Sequence, residues 1–219
     1  VAFNFGIKEG RDIVMILLEL FSGNGDISKA FRQAGWRAYR IDWSEKVEAE
    51  IHADISKLTA EDVIKLCGGV PDVIWASPDC TTYSIATHRH RTLKEGLKPK
   101  TDYAKQCDDA NARMWKMIDE LIGLGTRYYF VENPRGRMRH MPFVQDRPRY
   151  GITYCSYGRP SMKPTDIWTN HPDPKFKPFC RGGHKHANWS TKVGRDYLSR
   201  GKMPAELCQH IEKISGDKP

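Results

Sequence analysis

Residues 17–31 read LLELFSGNGDISKAF. An apolar run ends at Leu20, a turn rich in glycine follows, and a helix is expected from about Asp26. Glycine lets a backbone approach a ligand closely, and a helix N-terminus presents unpaired N–H groups. A strand that turns this way into a helix is the first unit of an α/β fold. Taken alone, Gly23-Asn24-Gly25 is also compatible with an ordinary tight connection.

The pattern outward from this stretch repeats the unit. Strands are expected at Ile13–Glu19, Arg37–Asp42, Ile51–His52, Asp72–Ala76, Tyr128–Glu132, Gly151–Tyr157 and Thr165–Trp168. Helices are expected at Asp26–Ala34, Ala60–Leu66, Lys105–Leu124 and Pro204–Ile214. In the long helix, Met114, Met117, Ile118, Leu121 and Ile122 recur at helical spacing, as a core stripe does. Such alternation implies a Rossmann-like, doubly wound α/β sheet, with ligands bound beyond the carboxyl ends of the strands. Residues 1–157 are expected to form the core, 158–201 a small recognition region rich in Pro, Gly, Lys and His, and 202–219 a helix returning to the core.

The 219 residues suffice for one well-cored domain, and 39% hydrophobic with 28% charged residues argues against wholesale disorder. No apolar run can span a bilayer, and the sequence opens on VAFNFGIKEGRD without a signal-peptide pattern. A monomer is expected in the cytoplasm, or in the nucleus of a eukaryotic cell. The six cysteines are scattered without a C-x-x-C pair, so reduced thiols are expected. A formal charge of +8 favours a polyanionic partner. The positive charge gathers in HRHRTLKEGLKPKTDYAK (88–105) and RGRMRHMPFVQDRPR (135–149), both following strands.

Several strand ends carry chemistry. Asp42 ends the second strand about twenty residues after the glycine turn, where a nucleotide-type fold places an acid for ribose hydroxyls, and Trp43 can stack on an adenine. Asp54 follows the third strand and can accept from an exocyclic amine. In VIWASPDCTTYS (73–84) the fourth strand breaks into a bend that presents Cys80; a partly exposed thiol held as thiolate is a good nucleophile. Glu132 ends the next strand, where a carboxyl away from water can act as a proton donor, and Asn133 can fix its geometry. Gln145, Arg147 and Arg149 alternate in QDRPRY and would share one face of an extended strand. Cys180, His184 and His186, with Cys155 upstream, are poorly spaced for a standard structural zinc site. Surface histidines in a basic loop are expected there, and no metal.

The ordered set ELFSGNG, Asp42-Trp43, Asp54-Ile55, SPDC, ENP and QxRxR, from residue 13 to 157, resembles the DNA (cytosine-5) methyltransferases. ENPRGRMRHMPF and KPTDIWTN are similar to the compact phage- or prokaryote-type branch. The resemblance implies methyl transfer from S-adenosylmethionine, leaving S-adenosylhomocysteine, to C5 of a cytosine flipped out of double-stranded DNA. The alternatives are an RNA substrate, tRNA included, or a degenerate binding module. By resemblance, Cys80 adds to C6, Glu132 protonates N3, and Arg149 holds O2 with Arg147 beside it. Phe21, Ser22, Gly23, Asn24, Gly25, Asp42, Trp43, Asp54, Ile55 and Pro78 would hold the cofactor. Thr81, Ser84, Arg89 and Arg91, within a loop 81–100 that closes over the base, would contact the substrate, as would Asn133. The sequence departs from the family at Asp79, which precedes the cysteine, at Pro134, and in lacking a final Asn-Ser motif.

Overall fold

The computed structural model describes residues 14–86, 88–93, 95–187 and 201–217. Seven strands form one sheet: Ile16–Leu20 (β1), Arg37–Asp42 (β2), Ile51–His52 (β3), Val73–Ala76 (β4), Tyr128–Pro134 (β5), Arg149–Thr153 (β6) and Pro164–Thr169 (β7). Their order is β3-β2-β1-β4-β5-β7-β6. β1 to β5 are parallel, while β7 runs antiparallel to both β5 and β6. The helices are Asp26–Gln33 (α1), Ala60–Cys67 (α2), Asp102–Gly123 (α3) and Ala205–Gly216 (α4). This is the Rossmann-like mixed sheet of S-adenosylmethionine-dependent methyltransferases, with a small extra region.

The sheet is buried on both faces, so its central strands are continuous apolar runs; every residue of β4 is buried. Leu18, Leu20, Ile74, Ala76 and Val131 pack with Met114, Ile118 and Leu121 of α3 on one face. Leu17, Val73, Trp75 and Phe130 pack with Ile27 and Phe31 of α1 and Leu207 and Ile211 of α4 on the other. α2 starts at a capping box, in which Thr59 and Asp62 satisfy each other's backbone N–H groups. Thr101 caps α3 by accepting from the Ala104 N–H at 3.2 Å.

The expected elements all form, with shifted bounds. The expected first strand begins at Ile13, which lies outside the described residues, as do 188–200 of the expected recognition region. β7 falls within 158–201 yet is built into the sheet, its Asp166 paired with Asn133 and its Ile167 with Glu132. The stretch 151–157 does not stay extended; it ends in a 3-10 turn, Tyr154–Tyr157. Gln145, Arg147 and Arg149 do not share a strand face. Pro142 opens a 3-10 turn, Pro142–Val144, and only Arg149 lies in β6. Among the described residues, no helix is long and apolar enough to cross a membrane.

Candidate active site

The parallel strands β1, β2, β4 and β5 all end on one edge. Beyond β1 the backbone folds back sharply: Phe21, Gly23 and Gly25 have φ of 55°, 47° and 63°. The Gly23 N–H donates to Asp42 Oδ2 at 3.1 Å, and the Ser44 N–H to Oδ1 at 3.0 Å. Asp42 thus braces the loop, with one lone pair on each oxygen still available for a diol. A Cβ on Gly25 would sit 2.9 Å from Arg40 Nη1, and Arg40 is itself held by Glu50 at 2.9 Å. Burial pushes the Glu19 carboxyl beneath the loop up to about 7, against the Ser28 hydrogen bonds that favour its charged form.

This edge fits S-adenosylmethionine. The Ser22 hydroxyl is buried with no partner among the described residues, and the Trp43 indole is 73% exposed at the tip of β2. Asp54 caps the following 3-10 turn, accepting from the Ser56 N–H at 3.1 Å and hydroxyl at 2.7 Å, which hold it below its ordinary range; Ile55 is buried behind it. Asn24 accepts from Lys29 Nζ through its carbonyl at 2.9 Å. α4 closes this side, with the Met203 N–H donating to Asp26 at 2.9 Å.

The bend after β4 is pinned residue by residue. Ser77 accepts from the Trp75 indole at 2.8 Å, and the buried Pro78 gives its carbonyl to Asn133 Nδ2 at 2.9 Å. Asp79 accepts from the Thr81 N–H at 2.8 Å and hydroxyl at 2.7 Å, and from the Tyr103 hydroxyl on α3. Cys80 then sits at φ −94°, ψ −7°, in the bridge region, at the head of the 3-10 turn Thr81–Tyr83. Burial pushes its thiol up most, then the charges of Asp79 and Glu132, while Lys163 pulls it down.

Lys163 is the residue that sequence reading missed. Its ammonium lies 3.4 Å from Glu132 Oε1 and over the Tyr154 ring, whose hydroxyl donates to the same oxygen at 2.9 Å. All three are largely buried, Glu132 at 5% exposure. Lys163 lies just before β7, and only the pairing of that strand with β5 brings it to Glu132. KPTDIWTN carries no local sign of this.

The arginines expected to meet substrate are placed otherwise. Arg147 forks onto Asp119 of α3 at 2.8 and 2.6 Å and lies 4.0 Å over Trp115, so it is a brace and does not face Cys80. Arg91 is 2% exposed, held by Thr82 and, at 2.9 and 2.6 Å, by Asp108 of α3. It is unavailable to a substrate because the loop is built around it. Arg149 reaches Asp166 at 3.0 Å, where Arg139 also binds at 2.9 Å, on the Asn133 side of the sheet and not the Glu132 side. Arg89 is exposed, Thr81 is spent on Asp79, and the Ser84 hydroxyl accepts from the Ala86 N–H at 3.1 Å. Arg137 holds this loop from behind, bonding the Ser84 carbonyl and, at 2.9 Å, His88.

No protein-family model matches the chain. It is similar to a probable DNA (cytosine-5)-methyltransferase of Frog virus 3 (isolate Goorha), 28% identical over 163 residues, which cover 71% of each chain. Among solved structures it is similar to the Entamoeba histolytica methyltransferase EhMeth, with a TM-score of 0.50, 13% identity and 79% of this chain covered. A Spodoptera frugiperda DNMT2 mutant matches with a TM-score of 0.44 and 17% identity over 81% of this chain. The chain spans 56% of the length of each of those two structures. The Frog virus 3 relative comes from neither a phage nor a prokaryote, so this likeness does not single out the branch expected from ENPRGRMRHMPF and KPTDIWTN. The chain is cytosine-5-methyltransferase-like in sequence, and its fold is that of the S-adenosylmethionine-dependent methyltransferases.

Proposed function

We propose that this chain transfers a methyl group to C5 of a cytosine in nucleic acid. The observation that carries the reading is Cys80, presented by a pinned bend on the strand edge that also holds the Phe21–Gly25 loop, with Glu132 and Lys163 acting on its thiol. Bound at that loop, S-adenosylmethionine supplies an electrophilic methyl group. Ser22, the Gly23 backbone, Asp42 and Trp43 would hold its nucleoside, and Asp54 would accept from the adenine amine.

The chain's residues prepare the base. The Cys80 thiolate adds to C6 while the Glu132 carboxyl gives a proton to N3, so that C5 becomes enamine-like. Lys163 would steady the negative charge that develops on Glu132 and the thiolate. After C5 is methylated its proton passes to a water acting as base, the Cys80–C6 bond breaks to restore the thiolate, and the N3 proton returns to Glu132. The base must leave its stack to reach this depth. The loop after Cys80 covers it, with Arg89 and Lys100 contributing salt-dependent phosphate contact.

DNA is the substrate in the name of the Frog virus 3 relative. The same residues would serve a cytosine in RNA. The test is labelled S-adenosylmethionine with separate DNA and RNA pools. Label is expected in one pool and lost with Cys80→Ala, while cofactor binding persists. Label retained in that variant overturns the mechanism; binding without label in either pool leaves a binding module.

A further inference from the structure

We propose that Cys155, Cys180, His184 and His186 form a structural zinc site that staples the segment after β7 to the sheet. One ligand atom from each residue lies within 4.8 Å of all the others. Cys180 Sγ is 3.6 Å from His186 Nε2 and 4.0 Å from His184 Nδ1. A tetrahedral zinc ion with the usual Zn–S and Zn–N bond lengths has ligand-to-ligand edges of about 3.4–3.8 Å. The four atoms therefore need to draw in by a fraction of an ångström to a little over one. Two thiolates and two neutral imidazoles balance the charge of the ion, and their binding releases two thiol protons.

The spacing Cys180-x3-His184-x-His186 offers three ligands in the sequence, too few for a closed site. The fourth comes from the fold. Cys155 stands in the 3-10 turn Tyr154–Tyr157 that follows β6, and this turn holds the distant segment directly. The Cys180 N–H donates to Thr153 Oγ1 at 3.0 Å, and the Ser156 hydroxyl to the Pro178 carbonyl at 3.0 Å. Downstream of the ligands the Ala187 N–H donates to the Pro160 carbonyl at 2.9 Å. Between Cys180 and His184 the chain turns back through Gly182 and Gly183, at φ of 102° and 94°, where a side chain would be strained. The turn directs the imidazoles of His184 and His186 towards the thiols.

The site also answers a structural need. Residues 170–187 contain no helix or strand and include three prolines and two glycines. A segment without regular structure has little apolar surface to bury and is commonly held by metal or disulfide. Cys155 and Cys180 are free, and two histidines converge on them, which favours metal. The ion would fix the basic run from Lys175 to Lys185 beside Arg135, which lies over Phe179.

The test is metal analysis of the purified chain, with activity left out of the readout. One zinc per chain is expected, falling to near zero in the Cys155→Ser and His186→Ala variants and unchanged in Lys185→Ala. Replacement by cobalt(II) in the unsubstituted chain is expected to give visible bands of tetrahedral intensity with thiolate-to-cobalt charge transfer. This reading decides the matter even if the variants fail to fold. A thiol reagent is expected to spare two cysteines until a chelator is added. Octahedral cobalt bands, metal retained without Cys155, or a Cys155–Cys180 disulfide in place of metal would each overturn the site.

Discussion

At the residue scale, the unusual feature is an acid next to the nucleophile. Asp79 is bonded to Thr81 and Tyr103, yet its charge still raises the thiol, and the charge of Lys163 opposes it. The two charges make opposite predictions. Asp79→Asn keeps a side-chain acceptor for Thr81 and is expected to move the thiolate limb of the pH–rate profile to lower pH; a limb that stays or rises refutes the coupling. Lys163→Ala is expected to move that limb to higher pH and to cut kcat by on the order of 10²-fold, while Lys163→Arg restores most of it. Glu19 makes a separate prediction about stability. Its folded pKa of about 7 lies above the ordinary 4.5, so its contribution is full below about pH 4.5 and is lost as the pH rises through about 7. Glu19→Gln is therefore expected to be near neutral at about pH 4 and to stabilise by up to about 3 kcal/mol at about pH 8, as read by denaturant unfolding.

At the scale of elements, the loop after Cys80 is clamped to α3 and to the end of β5. Arg91 is clasped by Asp108, and Gly136 lies so close that a Cβ would be 2.6 Å from the Tyr83 carbonyl. Gly136→Ala is expected to push the Thr81–Tyr83 turn outward and to lower activity more than stability. Unchanged activity would show that the turn has slack. Arg91→Ala strands Asp108 and is expected to cost about 3–5 kcal/mol, whereas Arg89→Ala is expected to leave stability unchanged and to weaken nucleic-acid binding. This contrast marks the limit of what the sequence conveys. Strand and helix periods located the elements, and strand ends located Cys80, Glu132 and Asp42, because a parallel sheet delivers those ends to one edge. In HRHR the two arginines read as equivalent cations, and only the fold separates the buried Arg91 from the exposed Arg89. Lys163 was illegible, and Cys155 was visible only as a thiol upstream of Cys180, His184 and His186, for a related reason: their partners are brought to them by β7 and by the long segment beyond it, and no local pattern encodes such pairings.

At the scale of the whole molecule, the +8 charge gives the proposed substrate a long-range attraction that the pinned site does not supply. Binding is expected to weaken linearly in log affinity against log salt for both DNA and RNA, as measured by titration at several ionic strengths. A salt-independent affinity would argue that the basic loops do not touch phosphate. The closure of α4 over α1 has a consequence in time. The Asp26–Met203 bond joins residues 177 positions apart, and the apolar side of α1 is covered by Leu207 and Ile211. During synthesis the first strand and helix leave the ribosome long before their cover exists. Until then Ile27 and Phe31 face water, and the glycine loop above them lacks its support. A nascent chain should therefore be a client for chaperones and unable to hold cofactor, gaining that capacity only when α4 emerges and docks.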